Sequence, residues 1–145
     1  MSTRSILAIA AAVALLASPA LAADRAKVAI DCKPAGDRFG YACIFKLTNA
    51  RTGAPIEGAE LTIGADMPSM PMAHNVKPVK AEPAGAPGEY KAHLALEMYG
   101  DWAVRLRISG VFRDQIVELK GFTEQGSGPP SKRAHGSKGG GHHKH

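Results

Sequence analysis

The chain reads as all-β: a sandwich of two sheets built from about seven short strands, set between an export signal and a low-complexity tail. Three observations predict this. No stretch after the first 22 residues keeps a 3.6-residue apolar period, so no amphipathic helix is expected. Short runs alternate apolar and polar residues instead, the period of a strand buried on one face. Pro, Gly, Asn and Asp cluster between those runs, where turns are needed.

The elements follow in chain order. Arg4 precedes an unbroken apolar run from Ile6 to Leu16, and Ala20-Leu21-Ala22 supplies the small residues of a cleavage point. The run falls short of the ~20 apolar residues that a bilayer span requires. Residues 1–22 are expected to be a cleaved signal peptide, which leaves no membrane anchor and places the mature chain in the periplasm. "KVAIDC" (27–32) sets Val28, Ile30 and Cys32 on one face, and "YACIFKLT" (41–48) is rich in aromatic and β-branched residues. The link "KPAGDRFG" joins them with turn-forming residues. "AELTIGA" (59–65) points Leu61 and Ile63 inward. "EYKAHLALEM" (89–98) alternates Tyr90, Ala92, Leu94, Leu96 and Met98 against Lys91, His93 and Glu97. A tight turn at "YGD" leads to "DWAVRLRIS" (101–109), where Trp102, Val104, Leu106 and Ile108 oppose Arg105 and Arg107. In "VFRDQIVELKGF" (111–122) the alternation breaks near Gln115, which predicts a β-bulge. One apolar face per strand supplies the core, with Trp102 at its centre. The sandwich is expected to occupy 23–124. Residues 125–145, "QGSGPPSKRAHGSKGGGHHKH", carry no large apolar side chain to offset the entropy of ordering, so a disordered tail is expected.

The net charge of +5 does not describe the body. All 13 acidic residues lie between residues 23 and 124, and the basic excess is Arg4 with Lys132, Arg133, Lys138 and Lys144. A neutral body with a short basic tail is not the footprint of a nucleic-acid-binding face. Nor does the chain carry GxSxG, HExxH or a phosphate-cradling glycine loop, so binding is expected rather than catalysis.

Cys32 and Cys43 fall in the exported part. An oxidising compartment favours a disulfide, and their spacing suits a hairpin. Such a crosslink contributes ~3 kcal/mol in the chain-entropy model. A pair of metal thiolates is the competing reading.

The segment "DMPSMPMAH" (66–74) is the unusual one: Met67, Met70, Met72 and His74 are spaced by Pro68 and Pro71. The prolines exclude a helix and make a central strand unfavourable, leaving an edge strand or an extended loop. An extended chain puts Met70, Met72 and His74 on one face; a polyproline-like stretch aligns Met67 with Met70. A bend at either proline gathers all four. Thioethers are soft, uncharged at any pH and suited to Cu(I), as is imidazole; silver(I) fits the same description. Ca²⁺ and Mg²⁺ want oxygen ligands, which are scarce here. The plainer reading is that these methionines fill core gaps or form an apolar contact surface.

Three stretches together resemble the YtkA-like family, related to the FixH-like proteins: "GAPIEGAELTI" (53–63), "MPSMPMAH" (67–74) and "GEYKAHLALEMYGDWAVRLRI" (88–108). Gly88, Tyr90, Met98, Gly100 and Trp102 carry the most specific part, and the likeness covers roughly residues 40 to 110. The resemblance implies an immunoglobulin-like sandwich, exported or membrane-tethered, that accompanies copper handling, heavy-metal efflux or maturation of copper oxidases. It also implies that Met67, Met70, Met72 and His74 form the family's Met-rich loop. The chain departs from FixH-like members in showing no transmembrane anchor.

Further candidates are weaker. Met98 and Trp102 flank the "YGD" turn and stand to add a thioether and a cation–π face, or simply to be core. His93 lies on a polar strand face, where a solvated histidine is the ordinary finding. His135, His142, His143 and His145 in the tail form a tract able to chelate Cu(II), or a low-complexity end without function. The expected function is a periplasmic copper-binding protein, acting as chaperone, buffer or resistance factor, with Cu(I) at the Met loop and Cu(II) at the tail. The alternative is a non-metal interaction module whose Met/Pro loop docks on an efflux adaptor or an oxidase-assembly partner.

Overall fold

The computed structural model of the chain describes residues 24–131. The expected signal peptide, 1–22, and the tail histidines His135, His142, His143 and His145 lie outside the described residues. What is described is all-β: β1 (Ala26–Pro34), β2 (Gly40–Asn49), β3 (Glu60–Asp66), β4 (Asn75–Pro83), β5 (Glu89–Ala95), β6 (Gly100–Ser109), β7 (Asp114–Thr123) and β8 (Gly126–Gly128). Every pairing is antiparallel, and the strands run in the order β1-β2-β5-β4-β3-β6-β7-β8. One layer holds β1, β2 and β5; the other holds β3, β6, β7 and β8. β4 joins the layers: it pairs with β3 for most of its length, then with Lys91 and Tyr90 of β5 through Glu82 and Pro83.

The core is what the alternation predicts. Tyr41, Cys43, Phe45 and Leu47 of β2, Leu61 and Ile63 of β3, Leu94 of β5, and Trp102, Val104, Leu106 and Ile108 of β6 are all buried. Trp102 is fully buried among them. Cys32 and Cys43 stand directly opposite each other in the β1–β2 register and are joined in a disulfide, which closes the reading of them as metal thiolates.

Three expectations change, and one strand is added. β4, a stretch for which the sequence predicts no element, is a strand although it contains Pro78 and Pro83. The β3–β4 register shifts between Ile63 and Ala65, so Lys77 and Pro78 fall opposite Gly64 with no ladder partner, and the missing proline N–H costs nothing there. The bulge expected near Gln115 is absent: the β6–β7 register runs unbroken from Gly100 opposite Phe122 to Ile108 opposite Asp114. The loss of alternation marks the start of β7, where Asp114 accepts the amide N–H groups of Ala26 and Gln115 at 2.9 Å each. β5 and β6 do not form a hairpin about "YGD"; residues 96–99 carry the chain from one layer to the other. Finally, the ordered chain runs past Glu124. β8 pairs with β7, and the Ser127 hydroxyl accepts the Cys32 N–H at 2.9 Å. Gly126 permits this approach, because a Cβ there would sit 2.4 Å from the Cys32 carbonyl oxygen.

Candidate metal site

The inward face of β3 reads Leu61, Ile63, Ala65, and the next residue on that face is Met67, only 3 % exposed. The Met67 N–H donates to the His74 carbonyl at 3.3 Å, one step beyond the last β3–β4 pair, Asp66 with Asn75. The methionine segment is therefore the loop of the β3–β4 hairpin.

Two turns follow each other inside it. The Met70 N–H donates to the Met67 carbonyl at 3.1 Å, and the Ala73 N–H to the Met70 carbonyl at 3.2 Å. Pro68 and Pro71 each occupy the second position of a turn, where their fixed φ is preorganised. The second turn puts Met72 at φ +73°, the position that a type II turn reserves for glycine. Among the described residues Met72 is the one non-glycine with positive φ, and it is 97 % exposed. Met70 is half-buried and packs against the core.

His74 closes the loop. Its Nδ1 meets the Glu97 carboxylate. An ionised carboxylate only accepts hydrogen bonds, so Nδ1 is the donor of this pair and Nε2 is the ring nitrogen that Glu97 does not engage. The imidazole lies edge-to-face with Trp102, ring centroids 6.4 Å apart. The Trp102 indole N–H donates to the Met98 carbonyl at 3.2 Å, and Met98 is half-buried against the same core. Gly100 makes room beside them: a Cβ there would lie 3.0 Å from Cε of Met67.

The fold thus brings Met67, Met70, His74 and Met98 to the Trp102 end of the sandwich. It does not bring Met72 with them, and the extended-chain alignment of Met70, Met72 and His74 does not form, because the turns rotate these positions apart. Met72 instead borders a groove of about 410 Å³ with Pro71, Asp66, Arg105 and Arg107. There Asp66 accepts Nε and Nη2 of Arg105 at 2.6 and 3.2 Å, and that hydrogen bond, with the charge behind it, pushes the guanidinium further up from its ordinary value. His93 is exposed on the other layer, beside Lys33, Lys80 and Lys91 and away from the methionines. Glu97 escaped the sequence reading; its one signal is that it adjoins Met98 on the polar side of a strand end.

The chemistry of this end is soft. Among the described residues no three His, Cys, Asp or Glu side chains come together as a metal site, and the donors at this end are thioether sulfur and one imidazole, with the Glu97 carboxylate on its Nδ1. A carboxylate fixing the far nitrogen of a histidine is the arrangement that orients imidazole ligands in metal sites generally.

A family model described as YtkA-like matches residues 23–107, which takes in the loop, Glu97, Met98 and Trp102. No curated protein and no solved structure matches the chain.

Proposed function

The chain belongs to the YtkA-like family, and from that premise and the geometry of the loop we propose that it is a periplasmic copper-binding protein that holds Cu(I) and passes it on. One observation carries this reading: Glu97 engages Nδ1 of His74 and so orients the ring, at the end of the sandwich where Met98 is half-buried beside Trp102 and Met70 is half-buried in the same loop as His74. Thioethers and imidazole suit a soft monovalent ion, the thioethers carry no proton to be displaced, and half-burial shields the ion from water. Met67, enclosed in the core, holds the loop to the fold and is the weakest of the candidate ligands. Trp102 braces the site from beneath, through its bond to Met98 and its contact with His74. Met72, exposed and outside that cluster, is the thioether a partner meets first. A thioether in full solvent suits exchange of the ion between proteins, the role of a chaperone or buffer rather than a store.

The test is a Cu(I) titration against a chromogenic chelator, with the mature protein and with Met70→Leu/Met98→Leu. Leucine conserves volume and removes sulfur. Loss of Cu(I) affinity in a folded double variant supports the reading; unchanged affinity refutes it.

The same exposure of Met72, next to Pro71 and the groove bordered by Arg105 and Arg107, supports the second reading, an apolar docking loop for an efflux adaptor or oxidase-assembly protein. In that case the chain carries no Cu(I), and Met72→Leu leaves partner binding intact.

A further inference from the structure

The outer face of the layer built on β3, β6 and β7 carries a row of hydrogen-bond donors. Lys80 stands opposite Thr62, Thr62 opposite Arg107, and Arg107 opposite Gln115, so four strands present an ammonium, a hydroxyl, a guanidinium and an amide side by side. The acids of β3 on this face are engaged: Asp66 accepts Arg105, and Glu60 accepts the Ser109 hydroxyl at 3.4 Å. Glu82 of β4 stands opposite Lys91. Arg107 is exposed and makes no ion pair among the described residues. The next row holds Gly64, which leaves the floor open: a Cβ there would meet only Cγ of Pro78, at 3.8 Å. The groove of about 410 Å³ follows this face from Arg107 and Gln115 to Pro71 and Met72. Thr62 to Asp66 covers roughly 13 Å of strand, the length of about four extended residues. Two of the large apolar side chains exposed among the described residues flank it: Met72 at the loop end, and Val117 opposite Arg105 in the register.

A guanidinium without an acid of its own, between a hydroxyl and an amide, suits a carboxylate taken by two parallel hydrogen bonds. With Asp66 matched by Arg105, the groove keeps the positive charge of Arg107 and is complementary to an acidic occupant, not a basic one. Arg and Met beside exposed apolar side chains are the composition that protein interfaces favour. An extended chain turns every second side chain to the same side. A carboxylate over Arg107 therefore sets the side chains two and four residues on over Gly64 and toward Met72. We infer that this groove docks an extended segment of a partner protein, with one carboxylate on Arg107 and apolar side chains toward Val117 and Met72. The inference rests on the docking reading above and deepens it: there the loop is the contact, and here the sheet face beside it supplies the receiver of a charge. A copper carrier and a metal-free module would use the groove alike.

The experiment uses the full mature chain without metal. The probe is a synthetic peptide with a glutamate followed, two and four residues on, by leucines, serine filling the other positions. Backbone amide NMR shifts report where it binds and how tightly. Shifts are expected at Thr62, Gly64, Met72, Arg107 and Gln115. Glutamine in place of the peptide's glutamate should weaken binding about fivefold, Arg107→Gln should do the same, and the two together should lose no more than either alone. Equal affinity for the glutamate and glutamine peptides overturns the proposal, as do shifts confined to other faces of the sandwich. Concentration-dependent shifts of the same amides without peptide would make a second copy of the chain the occupant, and overturn it as well. Met72→Ser separates the two claims. If it weakens peptide binding while Arg107→Gln does not, the loop docks and only the present inference falls. If the peptide moves no amide of the loop or the groove, the docking reading falls with it.

Discussion

Cε of Met67 lies 3.0 Å from the place a Cβ on Gly100 would occupy, so the first residue of the methionine loop and the first residue of β6 are fitted to each other. Gly100 also holds φ +139°, a conformation that side chains oppose. Gly100→Ala is therefore expected to destabilise the fold by ~1–3 kcal/mol through backbone strain and displacement of Met67. Met67→Ala should cost ~2–5 kcal/mol as a core truncation, and Met67→Leu under ~1.5 kcal/mol. Denaturant unfolding of the three variants checks this. A cost for Met67→Ala as small as that of a surface substitution would show that Met67 is not the core residue its burial makes it.

Met72 gives the opposite expectation. An unbranched side chain in the left-handed region costs roughly 1–2 kcal/mol relative to a right-handed position, and glycine avoids that. Met72→Gly should raise stability by about 1 kcal/mol, since the side chain touches almost nothing. The same variant should slow Cu(I) exchange with a small chelator about tenfold while changing the equilibrium affinity less than twofold. Stopped-flow transfer and equilibrium competition, done side by side, separate these. A fall in affinity matching the fall in rate would make Met72 a resting ligand, not an exchange one.

These two methionines also show how far the sequence could be read. The strand faces were legible because the alternation is strict: Leu61, Ile63 and Ala65 in β3, and Trp102, Val104, Leu106 and Ile108 in β6, are inward as their spacing demands. Met67 continues the β3 alternation by one step and is buried for that reason, yet Pro68 draws attention to the loop and away from the strand. β4 was hidden because two prolines weigh against a strand, and only the partner's Gly64 shows that Pro78 falls at a register shift. The loop's bends at Pro68 and Pro71 were readable from proline's fixed φ. The partner they reach, Glu97, was not, because it lies on the crossing between layers and no local pattern records it. The apparent bulge near Gln115 misled for a related reason: Asp114 serves β1 across the fold, and its role is not visible along the chain.

Asp114 carries a pH expectation. Its side chain is 5 % exposed, and that burial alone would push its carboxyl up. The N–H groups of Ala26 and Gln115 and the Arg25 guanidinium at 3.2 Å outweigh burial and hold the carboxyl below its ordinary range. A carboxylate whose folded pKa lies below the unfolded value, ~3.9, stabilises fully above that value and loses its contribution as pH falls through the folded one. Stability should thus be level with respect to this group above about pH 5 and decline below about pH 4. Asp114→Asn should lose ~1–3 kcal/mol near neutrality, as expected when a hydrogen-bonded charge is removed, and show a shallower decline in acid. Urea midpoints from pH 3 to pH 7 decide it; parallel acid profiles for the two proteins would exclude Asp114 as a contributor.

Glu97 is the residue whose replacement tests the candidate site with least harm to the fold. Its side chain is 52 % exposed, it belongs to the crossing between layers rather than to a strand, and its described polar partner is Nδ1 of His74. Removing its charge should leave unfolding within ~0.5 kcal/mol, as for surface positions generally. The effect on metal should be larger. Without a charged acceptor at Nδ1 the ring is less firmly oriented, and outer partners of this kind are worth ~10–100-fold in metal affinity. Glu97→Gln is expected to weaken Cu(I) binding by about tenfold, with Glu57→Gln, an exposed loop change on another part of the chain, as the control. His74→Gln should weaken it at least as much, and Glu97→Gln should add nothing to that loss, because a second partner acts only through the ligand it orients. Chelator competition on the two single variants and the double reads this coupling. If Glu97→Gln weakens binding in the His74→Gln background as much as in the unaltered chain, Glu97 is not acting through the imidazole, and the central geometric support for a copper site at this end is lost.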